Sequence, residues 1–245
     1  MSSDTVFART PPQRKIMPED PLLDPVCNAL QTVHSHFALR NGPAVRYPAD
    51  VVPFAAMALA NHSDLSSLAA LLVPHERVYL IGAQPLVTKN LQVGAALNCF
   101  QMLFPSHARK YAAPDDTRIL RMTHHDAPAM VSLTDLAFPG FFRPRTYEMG
   151  TYYGIRINDE LVAMAGERLA VPGFREISAV VTHPAHTGRG YATLLMNRLL
   201  QDHAAADLKS FLHVSERNVR AIAIYERMGF VTLRSVALWP ISLAV

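Results

Sequence analysis

Residues 187–193, Thr-Gly-Arg-Gly-Tyr-Ala-Thr, form the stretch whose residue types and spacing can do chemistry. Gly188 and Gly190 let backbone N–H groups approach a ligand closely. Ala192, Leu195, Met196 and Leu199 then fall at the spacing of one helix face. The first N–H groups of a helix have no partner within it, so a loop of this kind cradles an anion such as phosphate or pyrophosphate. A tight connection without a ligand would read the same way. The loop is fed by an apolar strand in which Ile177, Ala179 and Val181 alternate with Glu176, Ser178 and Val180. A second segment, Phe211 to Phe230, repeats the strand-to-helix pattern. There Phe211–Val214 reads as a strand and Asn218 as an N-cap. Ala221, Ile222, Ile224, Tyr225 and Met228 mark the helix, and Gly229 ends it.

Taken together, these segments resemble the GNAT superfamily of acyl-CoA-dependent N-acyltransferases, with the glycine N-acyltransferase-like branch nearest. The family's acyl-CoA motif, Gln/Arg-x-x-Gly-x-Gly/Ala, falls on Thr187, Gly190 and Ala192. Its second signature, Asn-x-x-Ala-x-x-x-Tyr-x-x-x-Gly-Phe, falls on Asn218, Ala221, Tyr225, Gly229 and Phe230 without a gap. Thr187 departs from the family's long polar side chain, which takes one side-chain contact from the phosphates and leaves the backbone cradle. The resemblance runs from about Thr117 to the C-terminus. It implies an α+β GNAT fold, a mixed and mostly antiparallel central sheet flanked by helices. It also implies acetyl-CoA, or another acyl-CoA, as cosubstrate. The cosubstrate would meet the backbone of Val180 and Val181 as an added strand does. Its phosphates would meet Thr187, Gly188, Arg189, Gly190, Tyr191, Ala192 and Thr193, and Asn218 would contact the pantetheine arm.

Acyl transfer to an amine needs an acceptor for the amine's proton, an N–H aimed at the carbonyl oxygen, and a proton donor for the departing thiolate. The resemblance implies direct transfer in a ternary complex. Glu176, opening the central strand, is the expected base, with Glu167 as its rival. A solvated or ion-paired Glu176 is the other reading. Tyr225, which would otherwise be core, holds the family's tyrosine position and is the expected proton donor. The expected activity is N-acetyltransfer to a primary amine of a small molecule. Longer-chain acylation of an amino acid such as glycine, or a non-catalytic acyl-CoA sensor, are the alternatives. The presence of both Glu176 and Tyr225 favours catalysis over the sensor.

The composition sets bounds on this reading. Of 245 residues, 50% are hydrophobic and 18% charged, the balance of a soluble globular protein. A formal charge of +3, without a dense Lys/Arg run, gives no nucleic-acid footprint. No apolar run reaches membrane-spanning length and the N-terminal residues lack an apolar signal core, so the expected location is the cytoplasm. Cys27 and Cys99 have no metal-ligand spacing and are expected to be reduced. The pairs His183/His186 and His124/His125 lack further ligands at a useful spacing, so no metal is expected.

The elements that must position these residues divide at the polar, turn-rich stretch 105–116. Residues 1–20 read as an N-terminal arm, 21–112 as a smaller α/β domain, and 117–245 as the acyltransferase domain. The resemblance implies an N-terminal domain set against the catalytic one, with a degenerate copy of the same fold as one form it could take. Within the first domain the pattern predicts a helix over 24–37, an extended stretch over 46–57, a helix over 64–72, a strand over 77–81, and either a strand or a helix over 97–104. In the second, a hairpin is expected across Asn158–Glu160, and the tail is expected to begin at Trp239-Pro240.

Overall fold

The computed structural model describes residues 20–58, 65–86, 89–105 and 116–244. The expected N-terminal arm and most of the expected boundary stretch therefore lie outside the described residues. In chain order come helix α1 (Pro25–Gln31), strands β1 (Leu39–Asn41), β2 (Ala44–Arg46) and β3 (Ala55–Met57), and helix α2 (Ser66–Ala69). Strands β4 (Val78–Ile81), β5 (Leu91–Val93), β6 (Leu97–Leu103) and β7 (Leu120–Arg121) follow, then helix α3 (Ala127–Asp135). Strands β8 (Tyr152–Ile157), β9 (Glu160–Val171) and β10 (Phe174–Thr182) lead to helix α4 (Tyr191–Ala205). Strand β11 (Lys209–Ser215), helix α5 (Val219–Met228) and strand β12 (Val231–Leu243) complete the chain.

Local chemistry explains most of these boundaries. Asp24 accepts from the Cys27 N–H at 2.9 Å and opens α1 with Pro25 in its first turn. The predicted helix over 24–37 stops at Gln31, and a separate short 3₁₀ turn forms at Ser35–Phe37. Asn158 and Asp159, with φ of 49° and 65°, make the two-residue turn joining β8 to β9, a conformation these residue types tolerate. The Asn218 side chain accepts from the Ala221 N–H at 3.1 Å, and Gly229, with φ of 104°, closes α5.

Nine strands form one sheet in the order β4-β12-β6-β11-β10-β9-β8-β7, with β5 also pairing β12. Among the described residues only β10 and β11 pair in parallel, over Phe174–Glu176. One face is covered by α4 and α5, whose Leu195, Met196, Leu199 and Tyr225 pack on Ile177, Leu212 and Val214. On the other face α3 packs through Met130 and Leu133 against Met164, Ala179 and Val181. Beside it, Val26 and Leu30 of α1 meet Leu169, Val171 and Phe211. A three-stranded sheet, β1-β2-β3, adjoins this layer.

Strands from both sides of the expected boundary share the nine-stranded sheet. β6 lies between β11 and β12, antiparallel to both, so residues 97–103 fill the middle of the sheet that residues 209–243 build. The expected tail at Trp239-Pro240 is instead strand, continuing to Leu243. Pro240 is tolerated because it falls between the β6 pairing, which ends at Leu238, and the β5 pairing, which begins at Ile241. A fragment beginning at Thr117 is expected not to fold, because it leaves the facing edges of β11 and β12 unpaired. Its amide NMR spectrum should be collapsed where that of the full chain is dispersed; a dispersed fragment spectrum would refute the shared-sheet account.

Candidate active site

The central event is a fork. β10 and β11 pair as far as Glu176 opposite Phe211 and then part. Ala179 has φ of 51°, and the pairing of β10 with β9 shifts register between Ser178 and Val181, the signature of a bulge. The bulge turns β10 away, so the backbone around Val180 has no β11 partner and faces a cavity. That cavity has a volume of about 540 Å³. Val180 and Val181 line it, as do all residues from Thr187 to Thr193, Asn218 and Tyr225. Every expected cofactor contact and the expected proton donor are thus brought together.

Gly188 and Gly190 sit in the left-handed region, with φ of 79° and 77°, and a Cβ at either would project into open space. The first turn of α4 closes with the Leu194 N–H donating to Gly190 at 3.0 Å, so the amides before it are not consumed by that turn. Positive helix-end charge and the side chains of Arg189, Arg220 and Arg227 all line the same cavity. A polyanion with an extended amide-bearing arm fits this arrangement: the diphosphate at the helix end, the arm along the unpaired edge of β10. Burial pushes the Tyr225 hydroxyl up to about 12, so at neutral pH it carries its proton into the cavity wall.

Arg220 and Arg227 escape the motif reading because only the apolar positions of α5 are needed to assign it. Their spacing to Ile224 on one helix face was the available signal. His186 also lines the cavity, with a buried Nδ1 that has no hydrogen-bond partner among the described residues.

Glu176 is placed elsewhere. It is 0% exposed, does not line the cavity, and sits beneath the fork at the last paired position of β10. Arg168 Nε and Nη2 donate to its two oxygens at 2.9 and 2.6 Å, and the Leu169 N–H donates at 3.2 Å. His213 Nδ1 lies 2.8 Å from Oε1. Beyond His213 the network continues through Gln101, at 3.1 Å, to Arg234, whose Nε donates to Gln101 Oε1 at 3.0 Å. Burial opposes the charge on Glu176, but the Arg168 guanidinium and the His213 hydrogen bond outweigh it and hold the carboxyl at about 2. The carboxylate is an ion-pair clasp across β9, β10 and β11, which is the second of the two readings open from sequence.

Glu167, the rival, is also engaged. Its oxygens meet His203 Nε2 at 2.8 Å and the Thr151 N–H at 2.6 Å. Burial would raise its pKa, and these hydrogen bonds overcome that and lower it. Cys27 and Cys99 are buried and form no disulfide, and burial pushes both thiols up to about 11, with the Asp24 charge adding to it at Cys27 and the Arg168 charge opposing it at Cys99. Among the described residues, no three His, Cys, Asp or Glu side chains gather as a metal site. Nor is any described helix long and apolar enough to cross a membrane.

Comparison with known proteins agrees with this fold. Residues 119–230 match the model of the acetyltransferase (GNAT) family. A GNAT-family structure from Novosphingobium aromaticivorans is 29% identical, with a TM-score of 0.84 over 93% of this chain and 100% of that one. A GCN5-related N-acetyltransferase from Kribbella flavida, 15% identical, shares the fold with a TM-score of 0.56, over 88% of this chain and 93% of that one. An uncharacterized protein of Mycobacterium leprae is 28% identical over 206 residues, 77% of this chain. The spermidine N(1)-acetyltransferase of Vibrio cholerae is 40% identical over 55 residues, 21% of this chain. The chain spans 55% and 31% of the lengths of these last two. The fold is that of the GNAT superfamily of acetyltransferases.

Two substitutions test the site's electrostatics. Glu176→Ala strands the buried Arg168 charge and should cost about 3–5 kcal/mol in denaturant unfolding. In the wild type the carboxyl falls from its ordinary 4.5 to about 2 on folding, so its contribution is full above 4.5 and lost as pH drops toward 2. The variant's stability should therefore depend less on pH in that window; equal slopes would contradict the clasp. Tyr152 has a buried hydroxyl without a hydrogen-bond partner among the described residues. Tyr152→Phe should raise stability by about 1–3 kcal/mol, and a loss would show that the hydroxyl is satisfied.

Proposed function

We propose that the protein is an acyl-CoA-dependent N-acyltransferase, with acetyl as the acyl group and a primary amine of a small molecule as acceptor. The observation that carries this reading is the meeting of three features in one cavity: the unpaired edge of β10, the amide cradle at residues 187–193, and the protonated Tyr225. When bound, the cosubstrate supplies the activated thioester. Thr187 to Thr193 would hold its diphosphate, Arg189, Arg220 and Arg227 would add charge, and Val180 and Val181 would fix the extended arm along the strand edge. Asn218, whose side chain already caps α5, would hold the arm from the opposite wall. The resemblance to the glycine N-acyltransferase-like branch rests on the two motifs alone. A spermidine N(1)-acetyltransferase among the relatives is in keeping with a small amine acceptor.

In this proposal Tyr225 donates the proton that the leaving thiolate takes. Glu176 acts as a positioning residue: it pins the strands where they part, and its carboxylate, held at about 2, is a weak proton acceptor. Glu167 is bonded to His203 and the Thr151 amide and is no better placed. The acceptor amine therefore arrives neutral or loses its ammonium proton to solvent; as the amide forms, its nitrogen gives up one further proton, which reprotonates the tyrosinate left at Tyr225. The rate should then climb with pH toward the amine's own pKa, without a carboxylate limb between about pH 4 and 6.

The test is incubation with acetyl-CoA and pooled primary amines while free thiol is followed. Amine-dependent thiol release is expected, and Tyr225→Phe should lower kcat by about 10²-fold or more with CoA affinity unchanged. Binding of acetyl-CoA without thiol release would favour a sensor. An unchanged rate in Tyr225→Phe would remove that residue from the chemistry.

A further inference from the structure

A second pair of depressions opens on the far side of the sheet, where β4, β5 and the end of β12 meet. They have volumes of about 540 and 360 Å³ and share Arg77, Gln92 and Ser242 in their walls. None of their lining residues lines the fork cavity, and β12, β6 and β11 lie between β4 and β10 in the sheet. The catalytic proposal uses nothing from this region.

The charge accounting here does not close. Three charged side chains, Glu76, Arg77 and Arg143, line the larger depression. The acid is already spent: Glu76 Oε1 pairs with Arg46 Nη2, and Oε2 accepts from Arg46 Nη1 at 2.7 Å and the Val73 N–H at 3.2 Å. Arg77 is exposed and makes no ion pair with any described residue. Arg143 Nε is buried from solvent and, among the described residues, has no hydrogen-bond acceptor. A buried guanidinium N–H without an acceptor is costly, and an anion would relieve it. The arginine is also held in place from its backbone: the Arg143 N–H donates to Thr146 Oγ1 at 2.7 Å, and that hydroxyl donates to the Val51 carbonyl. Gln92 and Ser242, opposite one another in the β5–β12 ladder, add uncharged donors to the lining.

We infer that this depression is a second binding site, for a small anion carrying a phosphate or carboxylate group, held between Arg77 and Arg143 with Gln92 and Ser242 completing its hydrogen bonds. The site does not rest on the acyltransferase proposal. Two guanidinium groups without a paired acid suit either oxyanion, and a volume of about 540 Å³ admits a metabolite-sized molecule.

The experiment titrates the full-length protein with inorganic phosphate and, separately, with succinate, each against sodium chloride at matched ionic strength. Melting temperature and backbone amide shifts are recorded. The expected result is a saturable rise in melting temperature with at least one anion, accompanied by movement of the Gln92 and Ser242 amides. Phosphate alone or succinate alone would identify the favoured group. Arg77→Gln alters an exposed side chain and should leave the fold intact while weakening binding by about 10-fold or more. Arg143→Gln should do the same. Shifts confined to Gly188 and Gly190 would place the anion in the cradle of α4 and overturn the assignment. So would a rise no larger than that in chloride, or binding that survives unchanged in Arg77→Gln.

Discussion

The parting of β10 from β11 is the constraint from which the rest of the molecule follows. A parallel strand pair normally consumes both facing edges in hydrogen bonds. Here a bulge centred on Ala179, a non-glycine residue held at φ of 51°, bends β10 away after three paired residues. The unsatisfied edge is placed over a cavity that ends at the N-terminus of α4. An unpaired strand edge and an unpaired helix end are each costly in isolation. Side by side, they make a surface with one row of amide partners and one anion cradle, and a single extended, phosphorylated molecule satisfies both.

Such a fork must be held open at its apex without being allowed to unzip. Glu176 stands at the apex, and its contacts reach sideways to Arg168 on β9 and His213 on β11. His213 passes the network to Gln101 on β6 and Arg234 on β12, so five strands meet through buried polar side chains. Arg234 also donates to the carbonyls of Leu22 and Leu23, which ties the start of the described chain to the same network. Buried ion pairs seldom add much stability over apolar packing, but each partner makes the other indispensable. Such a network fixes the register of the strands that carry it.

The cofactor-facing half of the site was legible from the chain because local rules govern it. Glycines at 188 and 190, the helix periodicity after them, and the cap at Asn218 each act within a few residues. The same holds for the turn at Asn158-Asp159. What stayed hidden depends on distant partners. That Glu176 is a clasp can be known only from Arg168 and His213, the second of them 37 positions away. That residues 97–103 sit between β11 and β12 follows from pairings more than a hundred residues long in sequence, which no periodicity records. Pro240 misled for a related reason: proline ends strands in general, and here it lies at a gap between two partners.

Calorimetric titration of CoA into the protein, beside a Gly190→Val variant, tests the central idea most directly. Valine at a position with φ of 77° would distort the cradle while leaving the clasp and the fork untouched. The account predicts one CoA bound per chain by the wild type, and affinity lowered at least tenfold in the variant with melting behaviour close to normal. No binding by the wild type, or equal binding by both proteins, would contradict it.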